Sequence, residues 1–182
     1  MTSTRRRLDA EIFDLPVEKM RAGWYTDAYF NHTRETLRYD GRNPNVVLQV
    51  FQKRNAYLGG MDEALAILRL CADDWDALTV HALYDGDVIE PYETVLTIEG
   101  DYTTFAHLET VYLGTLARRT LITTNVVNVL EAANGKPVIF MPARHRPPSR
   151  ADRRWLCGVR RRPDRRHARR RDDGGAGVLV GR

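Results

Sequence analysis

The sequence has 182 residues, 43% of them hydrophobic, 29% charged and 9% aromatic, with a formal net charge of +4. That is the size of one domain, or of one domain with an appendage. No apolar run approaches the roughly 18 to 20 residues of a bilayer span. No apolar stretch or cleavage site follows Arg5-Arg6-Arg7, so export is not expected and a cytoplasmic location is. Cys71 and Cys157 are far apart and form no CxxC, which excludes a disulfide scaffold and a cysteine-based zinc site.

In chain order, Asp14 before Leu15-Pro16 with Glu18 downstream predicts a helix start. Residues 24–30 run into an amphipathic stretch that ends near Asp40-Gly41, before Pro44. Residues 46–51 are β-branched and apolar, a strand. Gly59-Gly60 then opens a helix over 61–72, with Met61, Leu65, Leu68 and Cys71 on one stripe. A strand over 78–83 is closed by the turn Asp85-Gly86-Asp87, and a third strand spans 94–98. Thr103 or Thr104 is expected to cap a helix through Leu108, Val111, Tyr112 and Leu116, with a second helix over 124–133. Asn134-Gly135 is a stop, since glycine takes the left-handed conformation at little cost. Pro137 introduces residues 138–141, Val-Ile-Phe-Met, read as a buried strand. The order predicts an α+β domain followed by the start of an α/β unit.

The charge is unevenly placed. Residues 1–145 carry 15 Lys and Arg against 20 Asp and Glu, a net of −5. Residues 146–182 carry 13 Arg, no Lys and 4 Asp, a net of +9. Such a segment, without an apolar period, does not offset an ordering cost of about 1–2 kcal/mol per residue, and disorder is expected. The domain division is therefore 1–13 as a flexible N-terminus, 14–103 as the α+β domain, 104–145 as helices and a strand, and 146–182 as an Arg-rich tail. Thirteen arginines also suit nonspecific phosphate binding, but only Trp155 is interleaved for base stacking, and a nucleic-acid partner is not expected.

Local chemistry gives little else. Asp85-Gly86-Asp87 reads as a turn, His81 and His107 as satisfied or half-exposed histidines, Arg118-Arg119 as a solvated face or a phosphate contact, and Asp73-Asp74-Asp76 as surface. Gly59-Gly60 lacks the GxGxxG pattern, and no metal-ligand set is present.

Several stretches in order change the picture. Tyr25-Thr26-Asp27-Ala28-Tyr29 resembles the T-D-x-Y segment of nicotinate and nicotinamide phosphoribosyltransferases. The run 86–100, Gly-Asp-Val-Ile-Glu-Pro-Tyr-Glu-Thr-Val-Leu-Thr-Ile-Glu-Gly, is similar to their β segment. Leu108-Glu109-Thr110 and Leu121-Ile122-Thr123-Thr124 resemble the "LET" and "LIAT" helix segments, and residues 138–145 the first barrel strand of type II phosphoribosyltransferases. Gly114 replaces the usual Asn, and Thr110 stands where quinolinate enzymes carry Arg, which favours the nicotinate branch over the quinolinate one.

The resemblance implies an N-terminal α+β domain, linking helices and the first strand of an incomplete α/β barrel. It implies transfer of a phosphoribosyl group from phosphoribosyl pyrophosphate to nicotinate, with Mg²⁺ and ATP as cofactors, in a homodimer of NAD biosynthesis. Tyr29 matches the tyrosine that stacks on the pyridine ring from the neighbouring subunit, and Asp27 would place that loop or a substrate hydroxyl. Arg144 would clamp a carboxylate or phosphate bidentately, with His145 assisting; both are the catalytic candidates. Thr123 is expected to be structural.

The resemblance stops after His145. In one permitted codon set, dropping a single base converts Arg-Pro-Pro-Ser-Arg-Ala-Asp-Arg-Arg-Trp-Leu-Cys-Gly into Asp-His-His-Arg-Val-Gln-Thr-Gly-Asp-Gly-Tyr-Ala-Ala, a plausible α/β continuation. An Arg-rich, Lys-free tail is what GC-rich DNA produces out of frame. A frameshift near codon 145, leaving an inactive fragment, is the expectation.

Overall fold

The computed structural model describes residues 5–139 and the backbone of 177–180. Helix α1 (Val17–Arg21) and helix α2 (Ala28–Tyr39) lead into strand β1 (Asn45–Phe51) and a short β2 (Ala56–Tyr57). Helix α3 (Met61–Cys71), strands β3 (Thr79–Ala82), β4 (Val88–Ile89) and β5 (Thr94–Asp101), and helices α4 (Tyr102–Phe105) and α5 (Glu109–Ala132) follow. A last strand, β6, spans Gly177–Val180.

The main sheet is antiparallel in the order β1-β5-β3-β6, and β2 pairs with β4 beside it. Alternation sets its two faces. Leu48 pairs with Ile98, and Val80 pairs with the same Ile98 from the other side. These side chains meet Leu65, Leu68 and Cys71 of α3 and Phe105, Leu108, Tyr112 and Leu116 in one core. Asn45, Val47, His81 and Glu99 turn to the exposed face. The α3 stripe read from the sequence is the buried one, and burial pushes the Cys71 thiol up to about 11.

Several expectations are corrected. Residues 5–13, read as flexible, pack onto α3. Ala10 and Phe13 are buried with Ala66, while Arg7 donates to Asp62 at 3.0 Å and to the Ala82 and Leu83 carbonyls at 2.9 and 2.8 Å. Pro16 rather than Asp14 precedes α1, because a residue before proline is held out of the helical region. Asp101, not Thr103 or Thr104, caps α4, its carboxylate accepting from the Thr103 N–H at 2.9 Å.

The two helices expected after residue 103 are instead a short α4, a single 3-10 turn over Ala106–Leu108 and one continuous α5. No Gly or Pro interrupts residues 115–133. Thr124, read as a helix start, sits mid-helix and accepts from the Tyr57 N–H at 3.0 Å.

Val138 and Ile139 form no strand, and Ile139 is 83% exposed. A barrel strand is buried by flanking strands, and the described residues place none beside it; residues 140–141 lie outside them. In the tail, Gly177–Val180 is a strand rather than disordered chain. Val178 and Leu179 register with His81 and Val80, closing the β3 edge with backbone hydrogen bonds. The rest of the 146–176 segment lies outside the described residues.

Candidate functional site

Two of the four site candidates, Asp27 and Tyr29, lie at the start of α2. Thr26 donates its hydroxyl to the His107 carbonyl. Asp27 occupies the N-cap position in an extended conformation, yet its carboxylate does not cap its own helix. It accepts instead from the Thr110 hydroxyl at 3.1 Å, while the Asp27 N–H donates to the same Thr110 oxygen at 3.2 Å. The His107 carbonyl, just before α5, and the Thr110 hydroxyl, in its first turn, thus fix the entry to α2 from opposite ends of the 26–27 dipeptide.

Tyr29 sits in the first turn that this clamp sets. It is 60% exposed, with its ring centroid 4.1 Å from that of the buried Phe30. Phe30 anchors the turn in the protein and Tyr29 faces out. The Asp27 and Glu109 carboxylates lie within electrostatic reach of its phenol. Burial raises the Glu109 carboxyl above its ordinary range, and the hydrogen bond from Tyr102 partly opposes this. Beyond Tyr29, a shallow open surface runs along one side of α2, formed by Ala28, Tyr29, His32, Thr33, Thr36 and Leu37.

Asp27 and Tyr29 are therefore brought together. Arg144 and His145, the catalytic candidates, lie outside the described residues. What is present supplies an oriented aromatic face and carboxylates rather than cations. Of the two α2 guanidiniums, Arg38 is committed to Asp73 and to the Thr103 carbonyl at 3.3 Å, and Arg34 lies near His107. No three His, Cys, Asp or Glu side chains converge among the described residues. This part of the chain therefore does not fit Mg²⁺ as a donor set.

Sequence reading missed three features behind this surface. His107 was expected to be satisfied or half exposed; it is fully buried, and its ring makes no well-formed hydrogen bond, with only a weak interaction with the Cys71 backbone favouring the charged form. Burial first, then the nearby Arg34 guanidinium, pushes it down to about 4. His81 is exposed on the open face of the sheet. Asp85 belongs to a turn, as expected, but it also reaches across to α3, accepting from the Met61 and Asp62 N–H groups at 2.7 and 3.3 Å. Burial raises its carboxyl to about 6. Only a trans cap of this kind explains why α3 starts after Gly60, whose left-handed φ of 86° offers no capping side chain. Arg119 is not solvated surface: it pairs with Glu63 at 2.9 Å. The clue to the Thr110 clamp was present in the sequence, since Asp27 and Thr110 both lie in stretches that resemble one family, but their contact is long-range.

Residues 27–120 match the family model described as quinolinate phosphoribosyl transferase, N-terminal domain. Among solved structures, nicotinate-nucleotide pyrophosphorylase from Pyrococcus furiosus is 31% identical with a TM-score of 0.64, over 75% of this chain and 35% of that one. Human nicotinic acid phosphoribosyltransferase, 20% identical with a TM-score of 0.60 over 68% of this chain and 32% of that one, shares the fold. The chain thus spans about a third of the length of each of these structures. No curated protein matches the sequence. Among the described residues no helix is long and apolar enough to cross a membrane.

Proposed function

This chain belongs to the quinolinate phosphoribosyl transferase family through its N-terminal domain, and from that premise we propose that it derives from a nicotinate phosphoribosyltransferase of NAD synthesis. In that reaction the pyridine nitrogen of nicotinate bonds to C1 of phosphoribosyl pyrophosphate. The C1–O bond breaks, and pyrophosphate leaves with the electron pair. Charge develops on an oxocarbenium-like sugar and on the leaving group, so fixed cations are needed opposite the aromatic face. Tyr29 serves as that face for the pyridine ring in a neighbouring subunit, and the Asp27–Thr110 clamp positions it. Arg144 holds a carboxylate or phosphate, with His145 beside it. The Mg²⁺ and ATP contacts are placed outside the described residues, and the protein in the cytoplasm.

The observation that carries the nicotinate assignment is Thr110. Quinolinate has a second carboxylate, which the related enzymes meet with arginine at this position. Here the side chain is a hydroxyl already bonded to the Asp27 carboxylate, a pair that repels a further anion rather than binding it. The family model's quinolinate description supports quinolinate as the second reading.

We attribute the Arg-rich, Lys-free composition from Arg146 onward to a change of reading frame, which leaves the chain as it stands inactive. The assay is mononucleotide formation from nicotinate or quinolinate with phosphoribosyl pyrophosphate, Mg²⁺ and ATP. No product is expected from the chain as it stands, and nicotinate mononucleotide from a version with the frame restored after codon 145. Consumption of quinolinate with release of CO₂ would select the second reading, and turnover by the unrestored chain would overturn the inactive one. Sequencing the locus is a separate check: absence of barrel codons in the other frame removes the frameshift. In the restored enzyme, Tyr29→Ala is expected to raise the KM for nicotinate about 2- to 10-fold, the worth of an oriented aromatic pair. Tyr29→Phe should keep the wild-type value.

A further inference from the structure

Two carboxylates flank an exposed aromatic ring with no cation to answer them. Tyr29 projects from the first turn of α2, more than half exposed. Asp27 precedes it by two residues. Glu109 stands beside Thr110 in the first turn of α5, which the Asp27–Thr110 hydrogen bonds at 3.1 and 3.2 Å hold against the head of α2. Both carboxylates act electrostatically on the Tyr29 phenol. Their partners are neutral hydroxyls, Thr110 for Asp27 and Tyr102 for Glu109. A hydroxyl orients a carboxylate without cancelling its charge. Among the described residues neither carboxylate belongs to an ion pair. The open surface beside Tyr29 holds His32 but no Lys or Arg. Glu109 is half buried, so water and salt screen its charge less than that of the exposed Asp27.

A negative surround suits a ligand that carries, or acquires, positive charge. In the reaction proposed above the pyridine nitrogen spends its lone pair on the bond to C1, and the ring becomes a pyridinium. An aromatic face binds such a flat cation better than the neutral ring, and carboxylates beside it widen the difference. Interactions that strengthen as charge develops favour the transition state over the substrate. Taking Tyr29 as the pyridine platform, as proposed above, we infer that Glu109, with Asp27 in support, makes the Tyr29 face selective for a pyridinium over a neutral pyridine. Glu109 is thus a positioning residue: it holds negative charge where the ring turns positive.

Binding by the full chain as it stands tests this without turnover. Nicotinate and N-methylnicotinate, whose methyl carbon takes the place of C1, are titrated at about pH 8, where carboxyl groups are ionised, and followed by the aromatic NMR signals of Tyr29. N-methylnicotinate is expected to bind about 5-fold tighter, the combined worth of an exposed cation–π contact and an exposed ion pair. Glu109→Gln should cut the preference to about 2-fold or less, the cation–π part alone, without weakening nicotinate. Glu109→Asp should restore most of it. If circular dichroism shows that Glu109→Gln fails to fold, Asp27→Asn is read in the same way. Glu35→Gln removes an exposed carboxylate elsewhere on α2 and should leave the preference intact. A merely structural Glu109 would weaken both probes alike. That result, equal affinity for the two probes, no binding of either, or a preference unchanged in Glu109→Gln would each overturn this role. Nicotinate mononucleotide formed by the restored enzyme without any such preference would remove the role of Glu109 and leave the nicotinate assignment standing; a preference without mononucleotide formation would do the reverse.

Discussion

Gly59→Ala is expected to destabilise the protein by about 2–3 kcal/mol, the upper part of the range for overpacking a close contact, and to lower Tm by roughly 5–10 °C. The cause is steric rather than conformational, since φ at Gly59 lies outside the left-handed region. A Cβ there would stand 2.9 Å from the Arg119 carbonyl oxygen and nearer still to the Thr123 hydroxyl. Helix α5 cannot retreat, because Thr120 exchanges hydrogen bonds with the Gly59 N–H and C=O, both at 3.2 Å, and Thr124 holds Tyr57 one turn further on. The expectation that Thr123 is structural acquires a mechanism: its side chain fills the space that the glycine leaves. Adding Thr123→Ala to Gly59→Ala should recover part of the loss, because the hydroxyl is removed while the Arg119 carbonyl remains. Urea denaturation of the two single variants and the double variant measures the coupling directly. Strict additivity would show that the clash lies elsewhere.

The second large effect concerns pH. Asp85 titrates at about 6 in the folded protein against an ordinary 3.8, chiefly because it is buried. The folded state therefore binds a proton that the unfolded chain has released, and the associated stability is complete below about pH 4 and lost as pH rises through 6. His107 runs the opposite way. Its folded value of about 4, against 6.5, means that the unfolded chain is protonated first. Stability linked to it is present above about 6.5 and lost as pH falls towards 4. Each displacement corresponds to roughly 3 kcal/mol, and the two slopes cancel between about pH 4 and 6. Wild-type stability is expected to owe almost no pH dependence to this pair.

Single variants uncover each half. Asp85→Asn keeps an oxygen for the Met61 and Asp62 N–H groups but cannot ionise, so its stability should fall as pH drops from 6.5 to 4. His107→Leu removes a buried ring whose polar nitrogens are poorly satisfied, with only a weak interaction with the Cys71 backbone, a change that is close to neutral or stabilising at pH 7. Its stability should rise as pH drops from 6 to 4. Denaturation at pH 4.5 and 6.5 decides the matter, and parallel pH profiles for the wild type and both variants would refute the assignment.

The ordering of the elements, the buried stripe of α3 and the family's N-terminal domain were all legible in the amino-acid sequence. Each rests on spacing within one segment: Met61, Leu65, Leu68 and Cys71 at helical intervals, alternation along β1, and stretches of family-like residues in order. The mixed fold follows, whereas the structure alone puts Asp27 and Tyr29 at the head of a helix, within a stretch read only as ending near Asp40. Contacts between segments were not legible. That Thr110 clamps Asp27, that Asp85 caps a helix 24 residues upstream, and that Arg7 pins the N-terminal segment to β3 are settled by which surfaces pack together. Periodicity also joined poorly across junctions. It divided residues 104–133 at Thr124, where the hydroxyl serves a neighbouring strand instead of starting a helix. Charge told in the same two stages. A net +4 is the sum of an acidic domain and an arginine-rich segment, and the sequence alone separates them. Only the packed structure, by setting the burial around each group, decides which charges are costly: twenty carboxylates of residues 1–145 look alike in sequence, yet desolvation raises Asp85 and Glu109.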